Sequence, residues 1–129
     1  MMDMNKNGKF FTDDEREERI NKYFKHLKKI TKDVDKERKS VIIPLLENIA
    51  FCIVQLEELR AYIKQNGYFE YYQNGDNQFG YKKSIATDLI SQVSKNYSTF
   101  LGRLKEYIPD ANLKDDELDK FQRENGIKK

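Results

Sequence analysis

SIATDLISQVSKNYSTFLGRLKEYI, residues 84–108, is the stretch on which the fold turns. Ala86, Leu89, Ile90, Val93, Tyr97, Phe100, Leu101, Leu104, Tyr107 and Ile108 recur every three or four residues. At about 100° per residue they share an arc of about 120°, the mark of an amphipathic helix with one buried stripe. Ser, Asp, Gln, Lys, Asn and Arg occupy the opposite side. Ser84 suits an N-cap and Pro109 a stop. At 1.5 Å per residue such a helix is roughly 37 Å long, and its stripe needs a partner of similar length.

The only comparable stretch starts near Asp35–Ser40 and runs to about Gln65. Ile42, Leu45, Leu46, Ile49, Cys52, Ile53, Leu56, Leu59 and Ile63 form its main apolar face. Ile43, Phe51 and Val54 lie off that face, and a helix apolar on more than one side has more than one neighbour. Pro44 belongs near the helix start or kinks it, because it has no backbone N–H to donate. Asn66-Gly67 is the stop. Two long helices with one connector predict an antiparallel hairpin with facing stripes. The connector, GYFEYYQNGDNQFGY (67–81), holds four Tyr, two Phe and an Asn74-Gly75 pair that favours a tight turn. Both a short β-hairpin and an aromatic-rich loop fit it.

Upstream, Thr12 followed by Asp13, Asp14 and Glu15 is a capping pattern. Ile20, Tyr23, Phe24, Leu27, Ile30 and Val34 make a second apolar stripe, and Lys22, Lys25, Lys28, Lys29, Lys32, Lys36 and Lys39 fall across the wheel from it. The expected organisation is therefore all-α. A disordered arm at 1–11 precedes a basic amphipathic helix at 12–39. A helical hairpin at 40–109 forms the assembly core, and a flexible charged tail follows at 110–129.

Charge is distributed unevenly. The 129 residues total only +2, yet residues 22–39 alone carry +5. A local basic patch suits nucleic acid or another polyanion. Charged residues are 36% and hydrophobic ones 38% of the chain, with no apolar run approaching the ~20 residues of a membrane span. No stretch resembles a signal peptide, so an intracellular, non-membrane protein is expected. One cysteine, Cys52, allows no intrachain disulfide, and one histidine, His26, leaves little metal or base chemistry. No GxxxxGK[ST] phosphate loop is present. The expectation is a binding or assembly protein rather than an enzyme, with no cofactor and no metal.

The segment KKSIATDLISQVSKNYSTFLGRLKEYIPD (Lys82–Asp110), preceded by IAFCIVQLEELRAYIKQNGYFEYYQNGDNQFG (Ile49–Gly80), resembles the phage terminase small subunits of the P27-like group. The shared features are the Ala50-Phe51 pair, the Leu56/Leu59 spacing and a loop with an NG turn. A Lys82-Lys83-Ser84 helix start, the Asn96-Tyr97 pair and a helix end before Pro109 complete them. The acidic-aromatic DDELDKF (Asp115–Phe121) is similar to the tail of such proteins. The resemblance covers about residues 38–121, while the Lys-rich first helix departs from it. It implies a non-enzymatic subunit that assembles into a homo-oligomeric ring, binds double-stranded viral DNA and delivers it to the terminase large subunit. That work takes place in the cytoplasm of an infected bacterial host.

Within that frame Lys22, Lys25, Lys28, Lys29 and Lys32 are the candidate DNA contacts, since Asp33, Asp35 and Glu37 interrupt the stripe beyond them. Each phosphate neutralised by such a side chain releases counterions without reading sequence. A solvated helix face is the alternative reading of the same residues. Ile43, Phe51 and Val54 are the candidate oligomer interface, or else they bury against the first helix. The aromatic connector stacks bases, covers the end of the hairpin or fills a contact between subunits. Leu118 and Phe121 are candidate anchors for the large subunit, in a tail that otherwise only adds solubilising charge. The competing reading of the whole chain is a helical adaptor or regulator that binds a protein and never touches DNA. His26 is expected at the surface and Cys52 in the core.

Overall fold

A computed structural model of the chain describes residues 11–73, 75 and 78–108. Helix α1, Asp13–Ile30, starts where Thr12 Oγ1 accepts the Glu15 N–H at 3.1 Å. Acids in its first turn and Lys28 and Lys29 in its last complement the helix dipole. It ends at Ile30, well short of the expected residue 39. There Thr31 turns its hydroxyl onto the Leu27 carbonyl (2.8 Å), and Asp35 caps a new helix by accepting the Arg38 N–H (2.8 Å). Two local side chain–backbone bonds therefore outweigh a continuous apolar period. Lys36 and Lys39 belong to the next helix, not to the basic stripe.

That helix, α2, is Lys36–Asn66 and carries Pro44 inside it rather than at its first turn. It stops at Gly67, whose φ of 82° is open to glycine, and the Gly67 N–H closes on the Ile63 carbonyl at 2.6 Å. The connector is a β-hairpin of β1, Phe69–Gln73, and β2, Phe79–Lys83. Tyr71 faces Tyr81 and Gln73 faces Phe79, so five positions separate the strands instead of the two of a tight Asn-Gly turn. Helix α3, Ile85–Tyr107, follows at once, with Ser84 Oγ accepting the Thr87 N–H. The Tyr68 carbonyl receives both the Ser84 N–H (3.0 Å) and the Thr87 hydroxyl (2.8 Å), tying the root of the ribbon to the start of α3.

The described residues are thus mostly helical, with three helices and one small antiparallel sheet among them. Helices α2 and α3 pack antiparallel: Ile42, Leu46 and Ile49 share a cluster with Leu104 and Ile108, and Cys52 and Leu56 share another with Val93. Helix α1 joins the first cluster through Tyr23 and Leu27. Having two neighbours explains why α2 is apolar around much of its circumference. By length and composition α2 could also cross a bilayer, but here half of its most apolar stretch is buried within the bundle. Cys52 lies in the second cluster, where burial pushes its thiol above the ordinary range.

Phe11 departs from expectation. In place of the end of a disordered arm it is a core residue, 1% exposed, whose backbone N–H donates to Glu58 Oε2 at 2.6 Å. The rest of the proposed arm and the tail, with Leu118 and Phe121, lie outside the described residues.

Candidate nucleic-acid interface

Helix α1 presents one face to the bundle and one to solvent. Lys22, Lys25, Lys28 and Lys29 on α1, and Lys32 in the turn past its end rather than on the helix, are all exposed, and none forms an ion pair among the described residues. Lys28 lays its ammonium 5.1 Å from the Phe24 ring centre, so its stem covers the edge of the apolar stripe while its head faces water. Nearer the N-terminus the same outer face carries exposed Asp14, Glu17 and Glu18. The face is therefore acidic over its first turns and basic over its last. Lys22 to Lys29 spans about 10 Å of helix.

Salt bridges that the sequence does not announce hold α1 in place. Arg16 Nη2 reaches both carboxylate oxygens of Glu58, at 2.9 and 2.6 Å, while Arg19 Nη1 lies 3.5 Å from Glu57 Oε2. The Arg19 guanidinium also stacks 5.0 Å over the Phe11 ring. Glu57 is buried beside Tyr23. Burial first, and then the Glu57 charge, push the Tyr23 hydroxyl well above its ordinary value. The acidic pair Glu57-Glu58, set between Leu56 and Leu59, was the available signal for this anchor, but nothing local names its partners Arg16 and Arg19. His26, expected at the surface, is half-buried at the border between the Lys face and the core.

The three candidate interface residues separate. Val54 is 1% exposed inside the cluster that α1, α2 and α3 build together, so it is core and not a surface for another subunit. Ile43 is half-buried against the same cluster, whereas Phe51 is 45% exposed. Off-face position on α2 therefore had two causes, a second internal neighbour for Val54 and Ile43 and open surface for Phe51.

Among the described residues no three His, Cys, Asp or Glu side chains come together as a metal site requires. The open hollow on α3 lined by Ser91, Ser94, Lys95, Ser98 and Thr99 brings no acid–base pair together. Compared with protein-family models, with curated proteins and with solved structures, the chain matches none. What fold and site define is a small helical protein with a firmly anchored, one-sided basic helix.

Proposed function

We propose that this protein is a non-enzymatic DNA-binding subunit that grips duplex phosphates through the C-terminal half of α1 and acts as the small subunit of a phage terminase. In that role it assembles with copies of itself, probes no base sequence through the Lys face, and presents DNA to the large ATPase/nuclease subunit in the host cytoplasm. The observation that carries the reading is the row of exposed Lys on α1, unpaired among the described residues, on a helix clamped to the bundle by Arg16–Glu58 and Arg19–Glu57. A clamped helix presents its charges with less ordering cost than a free one. The terminase role adds the resemblance of residues 38–121. Repetition of one modest patch around an assembly would convert weak contacts into avidity.

Binding of labelled duplex DNA by anisotropy, titrated with salt, tests the Lys face. Lys25→Glu, Lys28→Glu and Lys29→Glu together should cut affinity by at least tenfold and lower the log–log salt slope by about three. Reversing exposed Arg60, Lys95 and Arg103 instead changes net charge equally and should cost far less. Equal losses in the two triple variants, or no loss in the first, would sink the assignment.

A further inference from the structure

The register of the ribbon puts Phe69 and Tyr71 of β1 and Phe79 and Tyr81 of β2 on one face, because side chains alternate along a strand and Tyr71 stands opposite Tyr81. Three of the rings meet: Tyr71 lies 5.6 Å from Tyr81 and 6.4 Å from Phe79, centre to centre. None of the described helices covers them, for the four are 61, 58, 64 and 74% exposed. An isolated two-stranded hairpin is marginal in water, and an exposed aromatic face on it is a surface in want of a cover.

We infer that this face is a self-association surface, on which a second copy of the chain seats the same face by a twofold axis. Area is the first argument. With about 200 Å² per aromatic side chain and some three-fifths of it exposed, the four rings offer on the order of 500 Å². Two such faces bury about 1,000 Å² in rings alone, which reaches the lower bound for a specific interface. Charge is the second argument. The cation on this face, Lys83, is already paired with Asp88 at 3.2 Å, so its described residues are near neutral and self-compatible. Nucleic acid would need free cations on this face, whereas among the described residues Lys82 sits on the opposite face of the ribbon and the Lys row lies on α1. Helix α1 runs back along α2, with Arg16 beside Glu58 and its Lys end toward the start of α2, whereas the ribbon follows the end of α2. Aromatic faces packed across the axis would interdigitate as two sheets about 10 Å apart.

This inference deepens the self-association part of the proposed function, rests on that part, and is independent of DNA contact; a twofold contact closes a pair, so a ring of pairs would need a second contact elsewhere on the chain. The test is the native mass of the full chain by light scattering, at tens of micromolar. Wild type should run at twice the chain mass or more. Tyr71→Thr with Phe79→Thr, which keeps β-forming side chains, should lower that mass at least twofold while the helical circular dichroism is unchanged. Tyr81→Lys, placing like charges across the axis, should do the same and more strongly at low salt. Phe51→Ser should leave the mass alone. A monomeric wild type overturns both the surface and the assembly, with the Lys-dependent DNA titration still deciding the rest. An assembly untouched by the ribbon variants, or one dissociated by Phe51→Ser alone, overturns the surface only. Quenching of tyrosine fluorescence by oligothymidylate, lost in Tyr71→Thr with Phe79→Thr at constant mass, would reassign the face to base stacking.

Discussion

The two ends of α2 bury their apolar neighbours by different means. At its start, Ile42, Leu46 and Ile49 sit among three helices and are almost wholly buried. Toward its end, past the reach of the Arg16–Glu58 clamp, only α3 and the ribbon remain among the described residues. Ile85, Leu89 and most ribbon aromatics are exposed there. Local sequence is no poorer in apolar residues at the second end. What differs is the presence of α1, which covers one end of the hairpin and stops short of the other. A third helix turns hydrophobic surface into core at one end. At the other end, where α1 does not reach, equivalent side chains stay exposed.

Breaking the covered end should be expensive. Leu46→Ala removes a fully buried side chain from the three-helix cluster and should cost about 2–5 kcal/mol in urea unfolding. The ribbon change Tyr71→Thr with Phe79→Thr should shift monomer stability by no more than about 0.5 kcal/mol per site. Costs of similar size at both ends would mean that the ribbon face is covered within the chain, and the contrast would fail.

The clamp is the next lever. Arg16→Ala leaves Glu58 with the Phe11 N–H but without its guanidinium, and should cost about 1–3 kcal/mol. It should also loosen α1 selectively, so amide exchange in residues 13–30 should rise more than in α3. Uniform exchange across the three helices would show that α1 does not depend on the clamp.

The smallest effect is read from pH. The Tyr23 hydroxyl is held above its ordinary 10.0 by burial and by Glu57. A raised folded value means the stabilising contribution is complete below pH 10 and is lost as pH climbs toward the folded value. Tyr23→Phe should therefore be less stable than wild type near neutrality, by about 1 kcal/mol. The gap should narrow above pH 10 as unfolded wild type gains a way to lose its proton. A gap that stays constant or widens with pH would show that the folded protein does not hold the Tyr23 hydroxyl above its ordinary value.

Legibility followed the range of the physics involved. The α3 stripe, the stop at Gly67 and the caps at Thr12 and Ser84 depend on neighbours within about one turn, and they read directly. The break at Thr31–Asp35 is also local, but a periodic apolar pattern passes through it and hid it. The Lys face was visible because helical period alone puts those side chains together. Its anchor was not, since Arg16 and Glu58 are 42 positions apart. Val54 and Phe51 show the same limit: both lie off the main α2 stripe, and one became core while the other stayed open.

By itself, then, the sequence determined a mostly helical chain, the extent of α3, the polarity of α1 and the concentration of positive charge within residues 22–39. Those follow from 3.6-residue periodicity and capping chemistry, which need no knowledge of distant partners. Tertiary structure alone decided that α1 lies along α2, that Phe11 is core, and that Glu57 and Glu58 serve as anchors. It also decided that the connector forms a ribbon with an uncovered aromatic face. Each of those outcomes depends on which helix sides remain free once three helices have packed, and periodicity carries no information about that.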